Sequence, residues 1–464
     1  MRYTEKGVEG LHIAYIGGGS RGWAWGLMSD LATAEDMNGC VYLYDIDAVA
    51  AEKNEVIGNR IKDLPESRSV WEYKAVGTLQ EALTGADFVV ISIMPGTFDE
   101  MESDVHAPEK YGIYQSVGDT AGPGGLMRAL RTVPMFEEIG KAIREYAPAA
   151  WVINYTNPMT VCVRTLYRVF PQIRAFGCCH EVFGTQKLLG LVLKDMEGVE
   201  NVKREDIRVN VTGVNHFTWL TRAHYRGQDL YPLYRKFCDK YKDTGFGEKS
   251  DDNWMNRFFE SRERVKMDLF LRFGVMAAAG DRHLAEFCPG SWYLKDPECV
   301  EEWGFALTPV SWRKEDLKKR LERSERLYTG EEQMEIRQTG EEGVQQMRAL
   351  LGLRDLVTNV NIPNQGQVPD FPRDAVVETN AYFSADGICP VFAGKLPGSI
   401  YPLVTRVGGI QELIVDAALM RDLDKAFQAF LMDPNMNLSM RDARSLFSQM
   451  LDNTGAYLGM YPGR

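Results

Sequence analysis

The run His12-Ile13-Ala14-Tyr15-Ile16, followed at once by Gly17-Gly18-Gly19-Ser20-Arg21-Gly22, constrains this chain more than any other segment. An apolar β-rich stretch ends in glycines, and a helical pattern through Leu27, Met28 and Leu31 follows, which makes a strand, a turn and a helix in order. The glycines permit a tight turn and close backbone approach, so a pyrophosphate can lie on the helix N-terminus beside Ser20 and Arg21. A second strand, Val41-Tyr42-Leu43-Tyr44, ends at Asp45, where a carboxylate can accept both hydroxyls of an adenosine ribose. That favours NAD over its 2′-phosphorylated form, with Asp47 as the alternative acid. Glycines alone would fit a flexible turn equally well; the strand, helix and acid around them make the nucleotide reading.

The first 160 or so residues continue to alternate short apolar runs with helical stretches. Phe88 to Ile93 and Ala150 to Ile153 are further strands, and Leu126 to Tyr146 is a helix entered from the Gly122-Pro123-Gly124-Gly125 loop. This pattern predicts an α/β fold with an N-terminal Rossmann-like, doubly wound parallel sheet over residues 1–190. Charged helical stretches mixed with strands at Ile207 to Val211 and Val376 to Phe383 predict a C-terminal α+β domain for substrate binding and oligomerisation over residues 191–464. Within it, Arg313 to Leu353 reads as exposed or oligomer-facing helices. The long connection before Leu126 lies at the carboxyl end of a parallel strand, where working loops gather.

Composition removes whole classes of function. A net charge of −12 opposes binding to phosphate backbones or anionic lipid, so nucleic acid is excluded as a partner. The run Phe88 to Met94 is far too short to cross a bilayer, and the first ten residues carry no apolar signal core, so a cytoplasmic protein without a membrane partner is expected. The 8 cysteines show no repeating framework, and Cys178 and Cys179 are adjacent, so free thiols in a reducing compartment are expected.

Two residues point to a metal. Cys179 and His216 each end an apolar run, and a thiolate with an imidazole makes a soft, incomplete ligand set that leaves positions open for catalysis. Without other context a lone cysteine or histidine is more often a core residue. Asn154 at a strand tip can offer its amide to a polar ligand, while Asn157 with Pro158 after it reads as a helix N-cap. His283 lies in Gly280-Asp281-Arg282-His283-Leu284-Ala285-Glu286. Asp119, beside glycines in the long loop, is either a sugar or ligand contact or a turn aspartate.

Taken in order, these motifs resemble glycoside hydrolase family 4, the NAD- and metal-dependent glycosidases. The resemblance is carried by the Gly17 to Gly22 fingerprint, Tyr44-Asp45-Ile46-Asp47, Lys110-Tyr111-Gly112 with Gln115, Gly118 to Gly125, Thr156-Asn157-Pro158, Cys179-His180-Glu181-Val182 and Gly213-Val214-Asn215-His216. It implies a glycosidase outside the two-carboxylate scheme. NAD oxidises the sugar at C3, the C2 proton becomes acidic, the group at C1 is eliminated, water adds and the hydride returns. The ion implied is divalent, typically manganese, and the implied assembly is a homodimer or homotetramer.

His180, beside Cys179, is then the acid that protonates the leaving alkoxide, or else a purely structural histidine. Asn157 and His283 join Asn154 as substrate contacts. The tyrosine that serves as base in relatives acting on phosphorylated β-glucosides has no visible counterpart here, so the base is left unassigned. Cys-His-Glu-Val is similar to the α-galacturonidase branch, and Cys-His-Ser to the α-galactosidase and α-glucosidase branch. A galacturonide substrate needs a cation for its carboxylate, and Arg282 is the candidate. The reading from another reaction class is a simple NAD-dependent sugar dehydrogenase.

Overall fold

The computed structural model describes residues 1–247 and 261–462. The leading glycine unit forms as expected. Strand β2 (Gly7–Ile16) follows a short β1 (Arg2–Thr4) and runs into the glycines, and the helix Trp23–Ala32 comes after them. Strands β3 (Met37–Tyr44), β4 (Trp71–Val76), β5 (Phe88–Ile91), β6 (Trp151–Asn154) and β7 (Arg174–Gly177) complete a parallel series in the order β7-β6-β5-β2-β3-β4.

Alternation along each strand divides two cores between the faces of this sheet. Ile13, Tyr15, Val41, Leu43, Val90 and Phe176 face one layer, with Trp25, Met28 and Leu31 from the first helix. Ala14, Ile16, Val89, Ile91 and Val152 face the other, with Phe136 and Ile143 from the helix Gly122–Tyr146 and Leu166 from the helix Met159–Val169. A strand buried on both sides has no polar face, which is why these runs read as continuously apolar.

The sheet does not end with residues before 190. Strands β8 (Ile207–Val214), β9 (Phe217–Tyr225), β10 (Gln228–Asp229) and β11 (Met276–Ala277) make a separate antiparallel sheet. The chain then returns, and β12 (Leu356–Pro363), β13 (Val376–Ser384) and β14 (Gly387–Pro390) extend the first sheet antiparallel beyond β7. Pairing between β7 and β12 is decided by edge hydrogen bonds over a long sequence separation, which no local pattern reveals. Asn380 on β13 ties the two sheets, accepting from Val211 N at 3.1 Å and donating to Val209 O at 3.0 Å.

The stretch Arg313 to Leu353 meets the expectation of outward-facing helices in its first helix and departs from it in its second. It forms most of one helix, Val310–Thr329, which is largely exposed, and a second, Gly343–Leu350, whose Val344, Met347 and Ala349 are buried in the core shared with the first helix. The connection after β5 is structured too, with a helix at Phe98–His106 and a 3₁₀ turn at Pro108–Tyr111. Among the described residues no helix is long and apolar enough to cross a membrane.

One buried ion pair braces this connection. Arg131 grips Asp104 through both oxygens, at 2.5 and 3.1 Å, and also donates to Thr454 Oγ1 at 3.0 Å. Their side chains are 1% and 2% exposed. Burial pushes the Asp104 carboxyl up, and the two Arg131 hydrogen bonds work against that. Removing one member strands the other charge, so Arg131→Met is expected to lower stability by about 3–5 kcal/mol, read from urea denaturation.

Candidate active site

The functional side chains gather at the carboxyl ends of the parallel strands, where β2 and β5 lie side by side and the strand order reverses. The glycine loop is locked there by sterics. A Cβ on Gly17, whose φ is +96°, would lie 2.1 Å from the Ser92 carbonyl oxygen, and one on Gly18 would meet Leu43 at 2.8 Å. No other residue fits these positions without moving β5 or β3. Asp45 accepts from Gly19 N at 2.8 Å and from Asp47 N at 2.9 Å, so the acid is oriented across the mouth of the loop. Asp47 instead pairs with Arg21 at 3.1 Å and caps the helix Ala48–Ile61. Ser20 Oγ accepts from Trp23 N at 3.2 Å. These placements suit a dinucleotide.

At the same edge, ligand atoms of Asp119, His216 and His283 all lie within 4.8 Å of one another. His216 occupies the tight turn between β8 and β9 at a φ of 63°, an unusual conformation for a residue with a side chain. Its Nδ1 lies 3.2 Å from Thr120 Oγ1, which itself donates to Asp119 Oδ1 at 2.7 Å. With the hydroxyl proton on Asp119, His216 Nδ1 carries the proton in its bond to Thr120, and Nε2 is the ring atom left for an ion. The His216 and His283 rings stand 4.0 Å apart.

Electrostatics favour a cation at this point. Burial opposes ionisation of Asp119, but the two imidazoles and the Arg128 guanidinium outweigh it and hold the carboxyl below its ordinary value. Burial, then the neighbouring His283, pushes His216 down to about 4, which keeps the ring neutral and its lone pair available. Around the cluster, buried His283 Nδ1 and Asn157 Oδ1 have no hydrogen-bond partner among the described residues. One carboxylate and two imidazoles are a donor set suited to manganese and related divalent ions.

Cys179 is not a member of this group of ligand atoms. It follows β7, packs with Met159, Val163 and Val376, and borders Asn215 and Glu378, both next to the site. Burial pushes its thiol well up, and the Glu378 charge adds to that. His283 and Asp119, expected as sugar contacts or supporting groups, stand in the cluster instead. Sequence spacing could not show this, because the three residues come from a loop, a hairpin and the helix Asp281–Phe287.

Other expected site residues are engaged elsewhere. The Asn154 amide is closed on its own turn, accepting from Thr156 N at 3.1 Å and donating to Thr156 O at 3.0 Å. Asn157 is not the N-cap, since the helix starts at Met159 with Pro158 in that position; its amide faces Asp119 Oδ2 at 3.4 Å. Arg282 donates to Ser116 O at 2.7 Å and to Thr308 Oγ1, which braces the loop leading to Asp119. His180 pairs through Nδ1 with Glu341 at 2.7 Å, and that hydrogen bond raises its pKa.

Three supporting acids were missed. Glu181 accepts from Gly280 N at 2.9 Å and stands 3.8 Å from His283 Nε2, so it positions the turn that carries this imidazole. Burial opposes its ionisation, yet the His283 and His216 charges bring it down to about 2. Glu286 accepts from Val117 N at 2.7 Å and Gly118 N at 2.9 Å, holding the backbone just before Asp119. Its position three residues after His283 on a short helix was the available signal. Glu341 gave none.

Known proteins share this architecture. The family 4 glycosyl hydrolase model covers residues 12–195, and the model of that family's C-terminal domain covers residues 211–436. The chain belongs to glycosyl hydrolase family 4. Among family 4 proteins, it is 64% identical over 458 residues to the α-galacturonidase of Thermoanaerobacterium saccharolyticum, spanning 99% of this chain and 98% of that one. The crystal structure of lplD from Bacillus subtilis has 53% identity and a TM-score of 0.91, covering 96% of this chain and 100% of that one. A 6-phospho-α-glucosidase from gut microorganisms, solved with NAD and Mn2+, shares the fold at 22% identity and a TM-score of 0.78, over 98% of this chain and 99% of that one.

Two measurements check the supporting acids of this family 4 site. Glu181→Gln removes the charge facing His283 and is expected to weaken Mn2+ binding about 10–100-fold by titration calorimetry. Burial raises Glu286 to about 8, with Val117 and Gly118 N–H bonds opposing. Its unfolded carboxyl ionises near its ordinary value, so folding takes up a proton and stability falls as pH rises from about 4.5 to about 8. Glu286→Gln is expected to flatten that fall in pH-dependent denaturation.

Proposed function

We propose that this chain is an α-galacturonidase that uses NAD and a divalent ion, manganese, to cleave the glycosidic bond with no net oxidation. The observation that carries the reading is the convergence of Asp119, His216 and His283 at the strand ends that also hold the glycine loop and Asp45. Near-complete coverage at 64% identity to an α-galacturonidase supports the substrate class.

When bound, NAD supplies a reversible hydride acceptor, and a divalent ion supplies a Lewis acid for the oxidised sugar. Gly17 to Gly22 and Asp45 would seat the dinucleotide, and Asp119, His216 and His283 would hold the ion. Thr120, Glu181 and Glu286 keep those three side chains in register. His180 is 52% exposed and anchored by Glu341 through Nδ1, which leaves Nε2 as the atom that hands a proton to the departing alkoxide. Asn157 beside Asp119 presents its amide to the sugar. Cys179, bordering Asn215 and Glu378, is available to complete the ligand set from the sulfur side.

The same reading places the enzyme in the cytoplasm, in keeping with eight free cysteines. It also assembles the chain as a homodimer or homotetramer, for which Phe392, 65% exposed, provides apolar surface.

A panel of nitrophenyl α- and β-glycosides, neutral, phosphorylated and uronic, tests the reading in the presence of NAD, Mn2+ and a thiol reductant. Release from the α-galacturonide without net NADH is the expected result. Preference for galactosides or phosphorylated sugars would overturn the substrate, and steady NADH accumulation would replace the glycosidase by a dehydrogenase.

A further inference from the structure

Three guanidinium groups stand around Asp119, and they differ in what already holds them. Arg128 donates through Nε to Asn157 O at 2.9 Å and is 8% exposed. Arg282 is anchored to Ser116 O and Thr308 Oγ1, and Ser116 Oγ donates back to Arg282 O at 2.5 Å. That side chain is a brace between the Asp119 loop and the segment before the helix Val310–Thr329. Arg313, in the first turn of that helix, makes no hydrogen bond or ion pair within 4 Å with the described residues.

The first turn is nevertheless firmly placed. Val310 N donates to His106 Nε2 at 3.2 Å, Val310 is fully buried with Met101 and Val105, and Lys314 pairs with Asp99 at 2.6 Å. Thr308 meets Arg282 just ahead of it. So Arg313 lies on a docked helix that begins just after the Thr308–Arg282 contact, with Asp119 as its strongest electrostatic partner and Arg128 next. Arg282 feels Arg313 more strongly than any other charge.

A half-buried arginine with no bonded partner, close enough to a buried ionised cluster to feel its charge, is costly unless something negative stands beside it. Around the ion-binding cluster the guanidinium groups of Arg128, Arg282 and Arg313 outnumber the two ionised acids, Asp119 and Glu181. A substrate carrying its own carboxylate restores the balance, and a planar guanidinium can hold both of its oxygens.

We propose that Arg313 is the residue that grips the C6 carboxylate of the uronic acid and so sets the preference for galacturonides over galactosides. The proposal rests on the α-galacturonidase reading above. It moves the recognition role from Arg282, whose donors serve the loop, to a helix of the C-terminal half.

The test compares the holoenzyme with Arg313→Gln and Arg313→Lys on nitrophenyl α-galacturonide and α-galactoside, together with galacturonate and galactose as competing ligands in equilibrium binding. The ratio of kcat/KM for galacturonide over galactoside is expected to fall about 100-fold in Arg313→Gln, chiefly through KM, with partial recovery in Arg313→Lys. Galacturonate affinity should fall while galactose affinity does not. An unchanged ratio and unchanged galacturonate affinity in folded Arg313→Gln overturn the assignment. If that variant does not fold, Arg313→Lys decides: wild-type selectivity and wild-type galacturonate affinity overturn it, and a reduced ratio supports it. Failure of the underlying reading looks different, because the unmodified enzyme would then show no preference for the galacturonide at all.

Discussion

Everything in this molecule that bears on chemistry depends on bringing one carboxylate and two imidazoles to a single point. Ligand atoms of Asp119, His216 and His283 within 4.8 Å would be unstable as a bare cluster of buried polar groups, and the surroundings are organised to hold them. Thr120 links two of them directly, Glu181 fixes the turn before the third, and Glu286 pins the backbone ahead of the first. Each support comes from a different segment. The cluster is therefore a product of how two sheets and their loops pack, with the Arg131–Asp104 pair and Gln115 holding the connection that reaches it.

The balance of charge explains which groups do what. Acids that meet cationic or hydrogen-bond donors from several sides, such as Asp119 and Glu181, stay ionised in spite of burial. Acids whose burial is offset mainly by neutral donors, such as Glu286 and Glu378, are pushed toward the neutral form. This division separates groups suited to hold an ion from groups suited to hold backbone and amides. Glu378 shows the second use, accepting from Asn215 at 3.0 Å and Asn359 at 2.7 Å beneath the site. The guanidinium groups divide in the same way, Arg282 bracing a loop and Arg313 without a hydrogen bond or ion pair among the described residues.

Much of this was legible in the chain. The glycine loop, the strand before it and the helix after it obey short-range rules of sterics and hydrogen bonding and form as expected, and Asp45 lies against the loop. His216 stands in a cluster that could hold an ion, although a lone histidine is more often a core residue and only the neighbouring motifs pointed to it. Cys179 was read with it by the same logic, yet its sulfur lies outside the cluster that Asp119 and His283 complete. Asn154 illustrates the limit from the other side, since a strand-tip amide has the same local signature whether it binds a ligand or closes its own turn.

The amino-acid sequence by itself determined the doubly wound half and its glycine turn, because strand period, glycine φ requirements and capping act over a few residues, and its motifs taken in order carried the resemblance to the family. Only the tertiary structure decided which histidine and which aspartate share a point, that β12 to β14 return to the first sheet, and that Arg282 is tied down while Arg313 is not. Those outcomes set contacts between segments that lie far apart in the chain. They follow from how buried faces fit together, and no local pattern encodes that.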